Sequence, residues 1–79
     1  MAQYVVHKEI DARGSACPGP LMELIRALKA ADVGQVIALL SSDQGSKADI
    51  PEWVEKAGHK LLAVEEEDGV TRFIVEKAR

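Results

Sequence analysis

The chemistry open to this chain turns on one residue. Of its 79 residues a single one is a cysteine, Cys17, and it stands in the run Cys17-Pro18-Gly19-Pro20. Proline has no N–H to lose and its φ is preset near the helical value, so Pro18 suits the first position of a helix. A residue that precedes proline is pushed out of the α region. Cys17 is therefore expected to stand extended at the N-cap, its sulfur near free N–H groups and the positive end of the helix dipole. Both favour thiolate over thiol and lower the pKa below its ordinary value of about 8.5. With Pro18 and Pro20 contributing no N–H, Cys17 and Gly19 keep most of the local donors. The stiff segment leaves the sulfur at a corner that another protein can reach. Arg13, four residues upstream, is a candidate source of further positive charge. A buried cysteine used as a small apolar filler is the competing reading. Position speaks against it: Cys17 follows a polar loop and lies off the apolar stripe of the helix it introduces.

A lone activated thiol restricts the reaction. Thioredoxin-type exchange needs a second, resolving cysteine, and the sequence has none. A cysteine hydrolase needs a base and an oxyanion hole in a cleft. The two histidines are poor candidates for that base, since His7 falls within a predicted strand and His59 follows a helix stop. Both read as surface residues. Neither a metal site nor a cofactor is expected. Covalent carriage of a group asks for the thiol and an open approach alone, and a persulfide, Cys–S–SH, is the simplest cargo.

The elements that must position this thiol are legible in the pattern. Tyr4 to Ile10 is β-rich and reads as a first strand. Asp11 to Ala16 is a loop of small and polar residues. From Pro18 the period changes: Leu21, Leu24, Ile25 and Leu28 fall at i, i+3, i+4, i+7, the stripe of an amphipathic helix ending near Ala31. Val36 to Leu40 is a short apolar run, hence a largely buried strand. Ser42 to Ser46 is the next loop. Ile50, Trp53, Val54 and Ala57 then mark a second helix. Asp49 with Glu52 resembles a capping box, Pro51 suits a first turn, and Gly58 is placed as the C-terminal stop. Two strands, Lys60 to Glu67 and Val70 to Lys77, flank Asp68-Gly69, a strong hairpin signal. That turn would pair Glu65 with Arg72, Val64 with Phe73 and Leu62 with Val75.

The order β-α-β-α-β-β with right-handed crossovers predicts an α/β (α+β) two-layer sandwich, a four-stranded mixed sheet with both helices on one face. The chain reads as a single domain, residues 1–79. If Ile37 and Leu39 point to the helices, then Val36, Ala38 and Leu40, joined by Leu61 and Ile74, lie on the open face. An apolar open face would suit docking or weak self-association. This supports a rival function, a non-catalytic interaction or regulatory module in which Cys17 is incidental.

Composition narrows the field further. A chain of this length buries roughly 60–65% of its unfolded surface, which leaves little room for a deep substrate pocket. Its net charge of −3 argues against bulk phosphate binding, and three aromatics with no stacking pair argue against a single-stranded RNA binder. No apolar run is long enough for a transmembrane helix, and the start, Met1 to Ile10, does not read as a secretory signal. A cytoplasmic, reducing setting is expected, where a lone thiol stays free.

Ile10-Asp11 followed by Gly14, then Cys17-Pro18-x-Pro20, Ser42-Asp43, Asp49-Ile50-Pro51 and Gly58-His59 resembles the TusA (SirA-like) family of sulfur carriers across essentially the whole chain. The resemblance implies the same βαβαββ sandwich. It implies that Cys17 carries sulfane sulfur as a persulfide. Pro18, Gly19, Pro20, Asp11 and Gly14 would support the site, and Arg13 and Asp43 would make partner or electrostatic contacts. It implies a cysteine desulfurase or rhodanese-like donor, and a DsrE-like acceptor feeding tRNA thiolation or a sulfur-oxidation relay. No membrane and no stable nucleic-acid partner are implied. Two positions depart from the family pattern. Ala16 stands where many members have a basic residue, and Gly19 where many have Glu. Both change the charge beside the sulfur and so bear on partner choice more than on the chemistry. The Cys-Pro-Gly-Pro form resembles relatives used in sulfur-compound metabolism more than the tRNA-thiolation type.

Overall fold

A computed structural model describes residues 5–14 and 19–79 of the chain. In order come β1 (Lys8–Asp11), α1 (Gly19–Ala30), β2 (Val36–Ser41), α2 (Ser46–Ala57), β3 (Lys60–Glu67) and β4 (Val70–Glu76). The strands form one sheet in the order β1-β2-β4-β3. β1 pairs parallel to β2, while β4 is antiparallel to both β2 and β3. The expected four-stranded mixed sheet and element order are present.

The core is built by alternation along the strands. Ile37, Leu39, Phe73 and Val75 are buried with Leu24, Ala27 and Leu28 of α1 and Ile50 and Val54 of α2. These positions share one sheet face, which both helices cover. On α1 the buried line is Pro20, Leu24, Ala27 and Leu28, whereas Leu21 and Ile25 are half-buried at its flank. The predicted stripe is thus rotated, and the second proline of the motif belongs to the core.

Several predicted boundaries move, each for a local reason. β1 starts at Lys8, later than expected, and Tyr4 lies outside the described residues. Just ahead of the strand, the His7 N–H donates to the Val36 carbonyl at 2.8 Å, and the His7 side chain takes the return bond, its Nδ1 accepting the Val36 N–H at 3.1 Å. His7 therefore sits before the strand and not within it. α2 starts at Ser46 and not at the Asp49 capping signal, so Pro51 lies inside the helix. Gly45 stands at the N-cap with no side-chain cap bond, and Asp43, two residues ahead of it, accepts the Ser46 N–H at 3.1 Å and its hydroxyl at 3.2 Å. Gly58 ends α2 as expected, with φ +82 and its N–H turned back to the last carbonyls.

In the hairpin, Asp68 (φ +51) and Gly69 (φ +78) are both left-handed, the requirement of a type I′ turn. Glu65 pairs with Arg72 and Val64 with Phe73, as predicted. Beyond Ala63 a bulge shifts the register, so Val75 pairs with Leu61 and not with Leu62. The extra residue turns Leu61 toward the helix side, where it packs against the core.

The open face is not the apolar patch that the sequence suggested. Val36, Ala38 and Ile74 lie there but are only 7%, 0% and 2% exposed. Arg72 reaches from β4 to Glu9 of β1 at 3.1 Å and to Glu65 of β3 at 3.2 Å. Because β2 lies between β4 and β1, the Arg72–Glu9 pair crosses that strand. Charge, and not exposed apolar area, marks this end of the face.

Candidate functional site

β1 and β2 run parallel and each leads into a helix, so the β1–α1 and β2–α2 loops meet beyond the same end of the sheet. That end is where open α/β sheets place their ligands. Of the expected site, the described residues Asp11, Arg13, Gly14, Gly19, Pro20 and Asp43 fall at that end.

β1 ends with Asp11, and the pairing carries on one residue further. The Ala12 N–H donates to the Leu40 carbonyl at 2.9 Å, and Ala12 is buried. Asp11 then turns back on its own loop. Its carboxylate accepts from the Arg13 N–H at 3.1 Å, from Nε at 2.8 Å and from Nη2 at 2.6 Å. The Arg13 hydrogen bonds hold the Asp11 carboxyl down at a pKa of about 2, and Asp11 raises that of Arg13 in return. The Arg13 guanidinium is thus matched by the Asp11 carboxylate.

Gly14 follows in the left-handed region, φ +86. Its N–H donates to the Ser42 Oγ in the β2–α2 loop at 3.1 Å. That loop is anchored below. Ser41, buried at the end of β2, accepts the Asp43 N–H on its hydroxyl at 3.2 Å, and Asp43 accepts the N–H of Ser46, the first residue of α2. Asp43 is thus a structural tie between loop and helix. Cys17 and Pro18 lie outside the described residues. The chain resumes at Gly19, half-buried at the start of α1, and at buried Pro20. The first turn of α1 contains no acidic residue, so no carboxylate there offsets the positive end of its dipole.

Beside these loops, on the face away from the helices, a broad open depression of about 610 Å³ runs from Arg13 and Leu40 to Arg72 and the acidic hairpin tip Glu65–Asp68. Among the described residues no three His, Cys, Asp or Glu side chains converge as a metal site. His59 is remote from this end. It follows α2, whose 12 residues place its two ends about 18 Å apart. It is half-buried and tilted against Trp53 with ring centroids 5.7 Å apart. Its Nδ1 accepts the Ala78 N–H at 3.2 Å. His59 is a packing residue and not the bare surface histidine expected.

Ser42 is the site residue that sequence reasoning left without a role. The Ser42-Asp43 pair was visible, but hydrophobic periodicity carries no information on a hydrogen bond between two loops 28 residues apart.

Comparison with known proteins agrees with this architecture. Residues 8–77 match the family Sulfurtransferase TusA. A protein of Archaeoglobus fulgidus, provisionally named a sulfur carrier, is 56% identical over 89% of this chain and 96% of its own length. The sulfur carrier protein TusA of Allochromatium vinosum is 32% identical over 90% of this chain and 93% of its own. The crystal structure of a SirA-like protein from Desulfitobacterium hafniense superposes with a TM-score of 0.79 at 25% identity, over 91% of this chain and 99% of that one. A match along nearly the whole described sheet and both helices places the chain in the TusA family, and its relatives' names support a sulfur-carrier role.

Proposed function

We propose that Cys17 accepts a sulfane sulfur as a persulfide and passes it to an acceptor protein. The observation that carries this reading is the match to sulfur carriers over residues 8–77 in a chain whose sole cysteine is Cys17. The carboxylate-free first turn of α1, which holds Gly19 and Pro20 of the motif, favours a thiolate ahead of it.

The steps balance without an outside oxidant or reductant. The Cys17 thiolate attacks the outer sulfur of a donor persulfide. The donor S–S bond breaks, its inner sulfur leaves as a thiolate, and the Cys17 persulfide, Cys–S–SH, forms with the proton still on the outer sulfur. An acceptor thiolate then attacks the outer sulfur of Cys17, and the Cys17 thiolate is released. The donor fits a cysteine desulfurase or rhodanese-like protein and the acceptor a DsrE-like protein, in tRNA thiolation or sulfur oxidation. A reducing cytoplasm keeps the thiol free. Among the described residues no helix is long and apolar enough to cross a membrane.

The test is intact mass spectrometry after incubation with a cysteine desulfurase and cysteine. The parent should gain the mass of one sulfur atom, and Cys17→Ser should gain none while keeping its fold. Loading that persists in the Ser variant would sink the reading.

A further inference from the structure

At the far end of the sandwich from the β1–α1 and β2–α2 loops, a second hollow of about 180 Å³ opens between the ends of the two helices. Ile25, Leu28 and Trp53 give it apolar walls. Around them stand Lys29 of α1, His59 just past α2, and Lys77 and Arg79 of the segment that follows β4. Among the described residues no carboxylate side chain lines it. The chain as a whole has 13 acidic and 10 basic side chains, yet three of its cations meet at this one hollow. Elsewhere carboxylates take up the basic groups, as Asp11 does Arg13, Glu66 does Lys47 and Glu52 does Lys56. Among the described residues Lys29, Lys77 and Arg79 make no ion pair.

The helix ends account for part of this charge. Lys77 Nζ donates to the Ala31 carbonyl at 2.7 Å, just past α1, and the Arg79 side chain lies against Gly58 at the end of α2. Two helix C-termini carry about half a negative charge each, and the α-carboxylate of Arg79 adds one more. Three cations exceed that, so the hollow stays net positive, and its apolar walls weaken screening by solvent. His59 adds a neutral donor. Its Nδ1 accepts the Ala78 N–H at 3.2 Å, which leaves the proton of the neutral ring on Nε2. Burial, then Lys77 and Arg79, hold its pKa below the ordinary 6.5, so the field of both cations reaches the ring.

We propose that this hollow is a binding site for a small tetrahedral oxyanion of the sulfate or phosphate class, with Lys29, Lys77 and Arg79 supplying the charge beside Trp53. Ammonium and guanidinium groups make their strong, charge-assisted hydrogen bonds to ions of this kind. The size suits a single ion, since pockets for drug-sized ligands run to about 300–1,000 Å³. The site stands apart from the sulfur chemistry assigned to Cys17 and does not rest on it.

Trp53 is the sole tryptophan, so its fluorescence reports on this hollow alone. The test adds sodium sulfate at pH 8, where His59 is neutral, against sodium chloride at matched ionic strength. Sulfate should change the emission along a saturable curve with a millimolar midpoint, inorganic phosphate should do the same, and chloride should give no saturable change. Lys29→Gln and Arg79→Gln should each weaken sulfate binding about tenfold, the size of one lost charge-assisted contact. Both positions are exposed, so each variant should keep the parent's circular dichroism. Lys56→Gln removes an equal charge from α2 outside the hollow, where Lys56 is paired with Glu52 at 2.8 Å, and should bind as the parent does. A sulfate response that is absent, or that chloride reproduces, overturns the proposal. So do Lys29→Gln and Arg79→Gln variants that bind like the parent, or a Lys56→Gln variant weakened as much as they are. Loss of the fold in both hollow variants overturns it as well, since those cations would then be structural and not free for a ligand.

Discussion

Arg13 shows how a residue's charge can be present and yet spoken for. Three of its N–H groups point at the carboxylate of Asp11, so the pair presents little net field to the loop that follows. The carboxyl should titrate at about 2, below its ordinary 3.8. The unfolded chain takes up this proton first as pH falls, so what the pair adds to stability is complete above pH 4 and lost on the way down to 2. NMR titration of the Asp11 carboxyl checks the value, and Arg13→Ala should return it to the ordinary range. A pKa unchanged by that substitution would place the cause elsewhere. Pro20 makes the second residue-scale case. It is buried on α1, so Pro20→Ala removes packed ring atoms and also frees the unfolded chain. Together these should cost about 2 kcal/mol in chemical denaturation. A change under about 0.5 kcal/mol would mean the ring adds nothing to the core.

At the scale of elements, turn chemistry proved more reliable than capping motifs. Asp68-Gly69 demanded a left-handed pair, and the hairpin formed around it. Gly69→Ala meets no atom within 4 Å, so its cost is conformational alone and should be about 1 kcal/mol. A neutral result would show that the turn adopts another form in solution. The start of α2 was misread because Asp49, Pro51 and Glu52 satisfy the local rule for a helix start. Nothing in their sequence shows that the helix already starts at Ser46, whose N–H and hydroxyl the Asp43 carboxylate holds. The bulge between Leu61 and Ala63 was likewise hidden, since Leu61 to Val64 is a continuous apolar run with no alternation to mark a slip, and only the partner strand reveals it. The order of elements, the helix-facing residues Ile37 and Leu39 and the motif's place between β1 and α1 were all legible, because each follows from local period and chain order. The Ser42–Gly14 tie and the Arg72 bridge between β1 and β3 were not, since both depend on which loops and strands become neighbours.

Across the whole molecule the two helix dipoles run the same way. Their positive ends meet at the loop end, where Gly19 and Pro20 open α1. Their negative ends lie at the far edge, where cations gather. Lys77 Nζ donates to the Ala31 carbonyl at 2.7 Å, just past α1, and the Arg79 side chain lies over Gly58 at the end of α2. His59 sits among them. Burial first, then Lys77 and Arg79, push its pKa below the ordinary 6.5. The unfolded chain therefore takes up this proton before the folded one as pH falls. Stability contributed by neutral His59 is complete above 6.5 and declines as pH drops below it. His59→Gln offers a side-chain oxygen to the Ala78 N–H and cannot titrate, so its unfolding midpoint should be flatter just below pH 6.5 than the parent's. Alkylation of Cys17 should be unaffected if the thiol works at the loop end of the sheet, from which His59 lies about a helix length away. Should the Gln variant keep the parent's slope, the cation edge is not what sets stability in this range. Should it alter the thiol, the two ends of the sandwich are coupled through the helices between them.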